Sequence, residues 1–226
     1  MKRLFIGALC GACLLGLFLP DRCAAQKFRN DYYDTRRAAH DEEALPSGAV
    51  VFLGNSITEQ GWWNVLFRDP KVVNRGIGGD NTFGMLDRLP GILAAQPSKI
   101  FLMAGINDIT GGQSTETIAA NIARMADMVH AEAPACRLYV QSVLPVSTKR
   151  LAYPYMKGHN ARVAPLNERL RALCAERGWC TFVDLVPLVS DADGELRKEL
   201  TKDGIHLQPA AYMLWRDHLR KQKYLR

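Results

Sequence analysis

Five short apolar runs, rich in branched side chains, constrain this chain more than any other feature: Ala49–Leu53, Val72–Asn74, Ile100–Ala104, Leu138–Val143 and Thr181–Val183. A strand with one wet face alternates polar and apolar residues. One that is apolar throughout is covered on both faces, as in a parallel sheet. Between the runs the period changes. Ile118, Ile122, Met125, Ala126 and Val129 form one stripe on a helix beginning near Ser114. Leu86, Leu89, Ile92 and Leu93 mark a second helix, closed by Pro97. Val163, Leu166, Leu170 and Leu173 mark a third, and Tyr212–Leu219 a fourth, with Pro209 in its first turn. Strand–helix alternation of this kind predicts a single doubly wound α/β domain with right-handed crossovers. Residues 26–47 are polar and charged, and are expected to form an extended lead-in with a short helix. Internal repeats, low-complexity linkers and a second domain are not evident.

The start of the chain has a different character. Lys2 and Arg3 precede an apolar stretch from Leu4 to Leu19, which stops at Pro20-Asp21-Arg22 and is followed by Cys23-Ala24-Ala25. That stretch is short for a membrane span, which needs about 20 residues. A basic start, a short apolar run and small residues read as a secretory signal over residues 1–25. The expectation is then an exported protein, periplasmic or secreted, with no stable membrane span once the signal is removed. An uncleaved N-terminal anchor is the alternative.

With 48% apolar residues among 226 there is material for a full core. The formal charge of +6 falls to about +4 without Lys2, Arg3, Arg22 and Asp21. The remaining cations are scattered except in the last helix (Arg216, Arg220, Lys221, Lys223, Arg226), where they suit a helix C-terminus. A nucleic-acid partner is therefore not expected. Cys136, Cys174 and Cys180 remain after residue 25; two could pair in an exported protein, leaving one free. These three show no C-x-x-C spacing, and Asp191–Glu195 lacks the glycine and distal glutamate at the spacing a calcium loop requires, so no metal is expected.

The polar residues that matter sit where strands end. The first three runs lead into Gly54-Asn55-Ser56-Ile57-Thr58, Gly76-Ile77-Gly78-Gly79-Asp80-Asn81 and Gly105-Ile106-Asn107-Asp108. In a parallel sheet the carboxyl ends of all strands share one edge, so these loops converge on one rim. Ser56 is then a raised hydroxyl that needs a base. Its own N–H, the N–H of Gly79 and the side-chain amide of Asn107 can aim at a single developing oxyanion. Asp203-Gly204-Ile205-His206, after the last strand, supplies the base: a carboxylate three residues before a histidine, across an Asp-Gly turn, can hold the imidazole in one tautomer. Each piece alone has a plainer meaning, a helix cap at Asn55-Ser56 or a tight turn at Gly78-Gly79-Asp80 and Asp203-Gly204. His40, His130, His159 and His218 have no carboxylate so placed and are assigned no role.

Gly54-Asn55-Ser56, Gly78-Gly79-Asp80, Gly105-Ile106-Asn107-Asp108 and Asp203-Gly204-Ile205-His206, in that order over residues 49–210, resemble the four signature blocks of the SGNH (GDSL-type) esterases and lipases. The Gly-Gly-Asp and Gly-x-Asn-Asp forms look closest to the branch of platelet-activating-factor acetylhydrolase subunits and carbohydrate acetylesterases. The resemblance implies a three-layer α/β/α, flavodoxin-like fold with five parallel strands in the order 2-1-3-4-5, and no cofactor. It implies Ser56 as nucleophile, Asp203 and His206 as its triad partners, and Ser56, Gly79 and Asn107 as the oxyanion hole. The family's Gly-Asp-Ser-Leu is here Gly54-Asn55-Ser56-Ile57. The replaced aspartate is not the triad acid, so Asn55 is expected to keep the local turn, and Asp108 to hold its loop.

The expected activity is hydrolysis of short acyl esters, acetyl above all, on a small-molecule or glycan substrate. Alternatives are a lysophospholipase or thioesterase for longer chains, an O-acyltransferase with the same residues, and a non-catalytic binding module on the same fold. Trp62 and Trp63 lie near the nucleophile and could stack on a sugar ring, with at least one packing into the core instead. The Pro145–Gly158 segment brings Lys149, Arg150, Tyr153, Tyr155 and Lys157 to the same rim, either as a sugar-binding surface or as an ordinary loop. Oligomeric state is not legible in the sequence.

Overall fold

In the computed structural model, which describes residues 28–226, the five apolar runs form one parallel sheet. Its strands are β1 (Val50–Gly54), β2 (Val72–Gly76), β3 (Lys99–Met103), β4 (Arg137–Gln141) and β5 (Cys180–Val183). Their order is β2-β1-β3-β4-β5, as the resemblance implies. The predicted signal, residues 1–25, lies outside the described residues.

Nine helices are described: α1 (Asp31–Glu42), α2 (Ser56–Glu59), α3 (Trp63–Phe67), α4 (Thr82–Ala94), α5 (Ile106–Thr110), α6 (Thr115–Glu132), α7 (Asn160–Arg177), α8 (Val186–Val189) and α9 (Pro209–Lys221). The four striped segments are α4, α6, α7 and α9. α6 packs against both α4 and α7, while α9 packs against α3 and α8, giving a layer on each face of the sheet. Ser114 caps α6, its Oγ accepting the N–H of Thr117 at 3.1 Å.

Strand register explains the core. Phe52 of β1 lies opposite Phe101 of β3, which lies opposite Tyr139 of β4. Side chains in register share a face, so these rings stack across the strands at centroid distances of 4.8 and 4.6 Å. Trp63 of α3 closes one end of the row, stacked on Phe52 at 3.9 Å, and Tyr224 meets Tyr139 at 4.9 Å at the other. Trp215 of α9 meets Trp63 edge-on, and its Nε1–H donates to Gln141 Oε1 at 2.7 Å.

The lead-in differs from the sequence expectation. Residues 31–42 form a full twelve-residue helix, capped by Asn30, which accepts the Tyr33 N–H. Tyr33 is its buried anchor, with its hydroxyl donating to the Gly84 carbonyl at 2.9 Å, while Tyr32 and Arg36 reach Glu59 and Arg37 reaches Asp87 at the surface. The remainder of α1 is polar, which hid its helical period. Cys136, Cys174 and Cys180 are buried free thiols, the last two with sulfurs 3.0 Å apart, and burial pushes Cys136 up to about 12.

Candidate active site

The chain turns from β1 into α2 with no loop between. Asn55, fully buried, caps α2 by accepting the Ile57 N–H at 3.0 Å, so the asparagine that departs from the family pattern makes the turn. A helix of four residues cannot satisfy its own C-terminal carbonyls. Neighbouring elements do so. Asn74 Nδ2 reaches the carbonyls of Thr58, Glu59 and Gly61 at 3.1, 2.9 and 2.9 Å, Trp63 Nε1 donates to Thr58 O at 2.8 Å, and the Tyr212 hydroxyl donates to Ile57 O at 2.7 Å. A Cβ on Gly76 would collide with the Glu59 backbone, so the end of β2 must be glycine for α2 to rest on it. Sequence reasoning missed Asn74 and Tyr212. The available signal was an asparagine inside a strand otherwise covered on both faces.

On this turn Ser56 meets a histidine 150 positions away: Ser56 Oγ and His206 Nε2 are 2.9 Å apart. His206 Nδ1 lies 2.7 Å from Asp203 Oδ2. Asp203 Oδ1 accepts the N–H groups of Ile205 and His206 at 3.0 and 2.8 Å. Burial alone would raise this carboxyl, but the hydrogen bonds from the His206 ring and from these two backbone N–H groups outweigh it and hold Asp203 below the usual carboxylate range. An ionised carboxylate only accepts, so Nδ1 carries the proton and Nε2 is left to accept from the Ser56 hydroxyl.

The Asp-Gly turn is gripped from outside. Gly204 has φ +93°, and a Cβ there would lie 2.8 Å from Leu151 Cα. The Ser147 N–H donates to Gly204 O at 2.8 Å, the Ala152 N–H to Asp203 O at 2.9 Å, and Arg150 Nε to Lys202 O at 3.1 Å. Lys149 pairs with Asp191 and Asp193 at 2.8 and 2.7 Å, so the acidic turn is met by an ammonium group. Of the cations considered for substrate contact, Arg150 thus braces the acid–base turn, and Lys149 is engaged by the neighbouring acidic turn instead.

The loops after β2 and β3 carry the two residues expected to complete an oxyanion hole with the Ser56 N–H. Gly79 adopts φ +76° with open space where a Cβ would point. Asn107, in the first turn of α5, donates from Nδ2 to the Asp80 carbonyl at 2.8 Å. Asp108 is fully buried and clamps the start of α4, accepting from Thr82 N at 3.1 Å and from Thr82 Oγ1 at 2.5 Å.

Around this centre the two tryptophans separate. Trp63 is in the core, whereas Trp62 is 74% exposed. Trp62 lines a groove of about 410 Å³ with Leu66, Lys202, Leu207, Tyr212 and Met213. Lys202 Nζ donates to Gln60 Oε1 at 2.8 Å at the same groove. Tyr153 stands edge-on to the His206 ring at 6.3 Å and touches Tyr155, which is exposed. His130 stacks on Trp179, and His159 Nε2 lies 3.1 Å from Thr110 Oγ1. Among the described residues, no group of three or more His, Cys, Asp and Glu side chains is gathered as a metal would need, and no helix is long and apolar enough to cross a membrane.

With that geometry in view, the family model for the GDSL-like lipase/acylhydrolase family matches residues 52–214. The chain belongs to this family. This GDSL hydrolase is thus an ester-hydrolysing enzyme. Bovine (Bos taurus) platelet-activating factor acetylhydrolase IB subunit alpha1 is 29% identical over 170 residues, 72% of this chain and 69% of that protein. The N-acylneuraminate cytidylyltransferase of Streptococcus agalactiae is 26% identical over 140 residues, 61% of this chain but only 31% of that protein. Among solved structures, a GDSL-like lipase from Bacteroides thetaiotaomicron superposes with TM-score 0.72 at 26% identity, covering 85% of this hydrolase and 98% of that chain. A chain from Streptococcus pneumonia superposes with TM-score 0.78 at 26% identity, covering 84% and 92%.

Proposed function

We propose that this GDSL hydrolase is an exported serine esterase that removes short acyl groups, acetyl above all, from carbohydrate hydroxyls. The observation that carries the chemistry is the unbroken line Ser56 Oγ, His206 Nε2, His206 Nδ1, Asp203 Oδ2, with contacts of 2.9 and 2.7 Å. His206 Nε2 takes the Ser56 proton as Oγ bonds to the ester carbonyl carbon, and negative charge moves to the carbonyl oxygen. The N–H groups of Ser56 and Gly79 and the Asn107 amide receive that charge. On collapse the C–O bond to the alcohol breaks and the alcohol leaves with the proton from Nε2. Water then repeats the sequence on the acyl-enzyme, releasing the acid and returning the proton to Ser56.

Export is supported by the basic and apolar start of the chain. A sugar acceptor is supported by two solvent-facing aromatic rings beside the centre, Trp62 and Tyr155, and by the sequence shared with a protein named for acting on N-acylneuraminate. The groove under Trp62 favours a second reading, a lipid ester, because Leu66, Leu207, Pro209 and Met213 give it an apolar wall. Similarity to platelet-activating factor acetylhydrolase subunits agrees with either an acetyl group or a lipid alcohol.

Purified protein assayed on p-nitrophenyl esters from acetate to octanoate, and on acetylated sugars, separates the two. The expected outcome is fastest turnover of acetate and release of acetate from sugar esters. Trp62→Ala should then raise KM for the sugar ester by about tenfold, the equivalent of 1.4 kcal/mol of lost ring contact, and leave p-nitrophenyl acetate unaffected. A preference for octanoate would transfer the assignment to lipid esters. A second substitution probes the charge-stabilising side. Asn107→Ala is expected to lower kcat by about 10²–10³-fold with KM little changed, read with p-nitrophenyl acetate.

A further inference from the structure

Resting on the roles proposed above for Ser56, Gly79 and Asn107, we propose that the buried Arg88–Asp80 pair is the positioning device that fixes the three oxyanion donors relative to one another. Those donors come from three loops, after β1, β2 and β3, which no short covalent path connects. Arg88 lies on α4 at the i+3 position of the stripe Met85, Leu89, Ile92, where packing alone would favour a leucine. Its side chain is 4% exposed and that of Asp80 0%.

One guanidinium reaches the first two of these elements directly and the third through Asp80. Its Nε donates to Asp80 Oδ2 at 2.9 Å, Nη1 to the Arg75 carbonyl at 2.7 Å, and Nη2 to the Gly54 carbonyl at 3.0 Å. Gly54 stands two residues before Ser56, and Arg75 lies in the strand that leads to Gly79. Asp80 follows Gly79 directly, and its backbone carbonyl accepts from Asn107 Nδ2 at 2.8 Å. Asp80 is held in turn by its N–H to Ile77 O at 3.1 Å and by Oδ1, which accepts the Asn81 N–H at 2.8 Å. The planar fork of arginine offers fixed directions that lysine cannot reproduce.

The helix is shaped to admit the carboxylate. Gly84, inside α4, stands where any Cβ would collide with Asp80 Oδ1, so the helix gives up a better helix former to seat that oxygen. Buried ion pairs add little net stability over a well-packed apolar pair. Positioning accounts for this one, because small displacements of oxyanion donors cost large factors in rate.

The test compares Arg88→Lys, Asp80→Asn and the double variant with Leu89→Ala, a buried apolar neighbour on α4 with no hydrogen-bonding side chain. The readouts are kcat and KM for p-nitrophenyl acetate, fluorophosphonate labelling of Ser56, and the thermal midpoint. Arg88→Lys and Asp80→Asn should each lower kcat by about 10–100-fold with KM within about twofold, and the double variant should be no slower than the worse single one. Leu89→Ala should lose thermal stability and keep kcat, which separates positioning from general destabilisation. Either pair variant with wild-type kcat overturns the proposal. So does a Leu89→Ala that loses kcat as far as they do. If neither pair variant folds, the Arg88 Nε–H resonance of ¹⁵N-labelled wild-type protein decides: it should shift when Ser56 is phosphonylated, and an unmoved resonance also overturns the proposal. A wild-type protein that is neither labelled nor active would instead refute the serine-esterase reading.

Discussion

Ser56→Ala is expected to lower turnover of p-nitrophenyl acetate by on the order of 10⁴-fold or more, the scale on which nucleophile loss acts in triad enzymes. The protein should stay folded. Asn55 still caps α2 through its own side chain, and Asn74, Trp63 and Tyr212 still hold the α2 carbonyls, none of them through the serine hydroxyl. What disappears is the 2.9 Å contact with His206 and, with it, the covalent intermediate. Residual hydrolysis should remain above the solvent rate, because backbone donors survive the change. A fluorophosphonate mass shift on wild-type protein, absent from the variant, gives an independent check. Wild-type turnover by Ser56→Ala would remove the nucleophile assignment.

Asp203→Asn should cost about 10⁴-fold in kcat, through a different fault. The asparagine keeps an oxygen for the N–H groups of Ile205 and His206, so the turn survives. Its NH₂ now faces His206 Nδ1 in place of Oδ2, and two donors cannot share that contact. The imidazole must then accept at Nδ1 and carry its proton on Nε2, where a base is required. The pH dependence follows from the sign of the Asp203 shift. Its carboxyl is held below the usual range in the folded protein, so the stabilisation is present above the unfolded value and lost as pH falls through the lower folded value. Loss of the turn should therefore begin only in acid stronger than the usual carboxylate range, and near-ultraviolet circular dichroism followed on acidification checks it.

The sheet was legible because its strands obey one rule: covered on both faces, they carry branched residues without alternation, and Phe52, Phe101 and Tyr139 fall into register as a result. The meeting of Ser56 with His206 and Asp203 was legible because strand ends in a parallel sheet share an edge, which makes distant loops neighbours. Other parts stayed hidden for physical reasons. Helix α1 buries one tyrosine and is otherwise polar, so its period is faint. Arg75 and Arg88 look like surface cations in composition, and only the apolar stripe around Arg88 marks it as misplaced. Backbone hydrogen bonds from Ser147 and Ala152 to the Asp-Gly turn leave no trace in residue type, since any residue other than proline could donate them.

The separation between Ser56 and its base bears on when the enzyme can first act. A growing polypeptide exposes the hydroxyl early, and its N-terminal portion can begin to fold during synthesis. The imidazole follows 150 positions later. The same delay applies to Tyr212, which pins the carbonyl of Ile57. On the mechanism proposed above, a chain released before that stretch has been added lacks the imidazole that Ser56 contacts, and it should hydrolyse esters far more slowly than the finished protein.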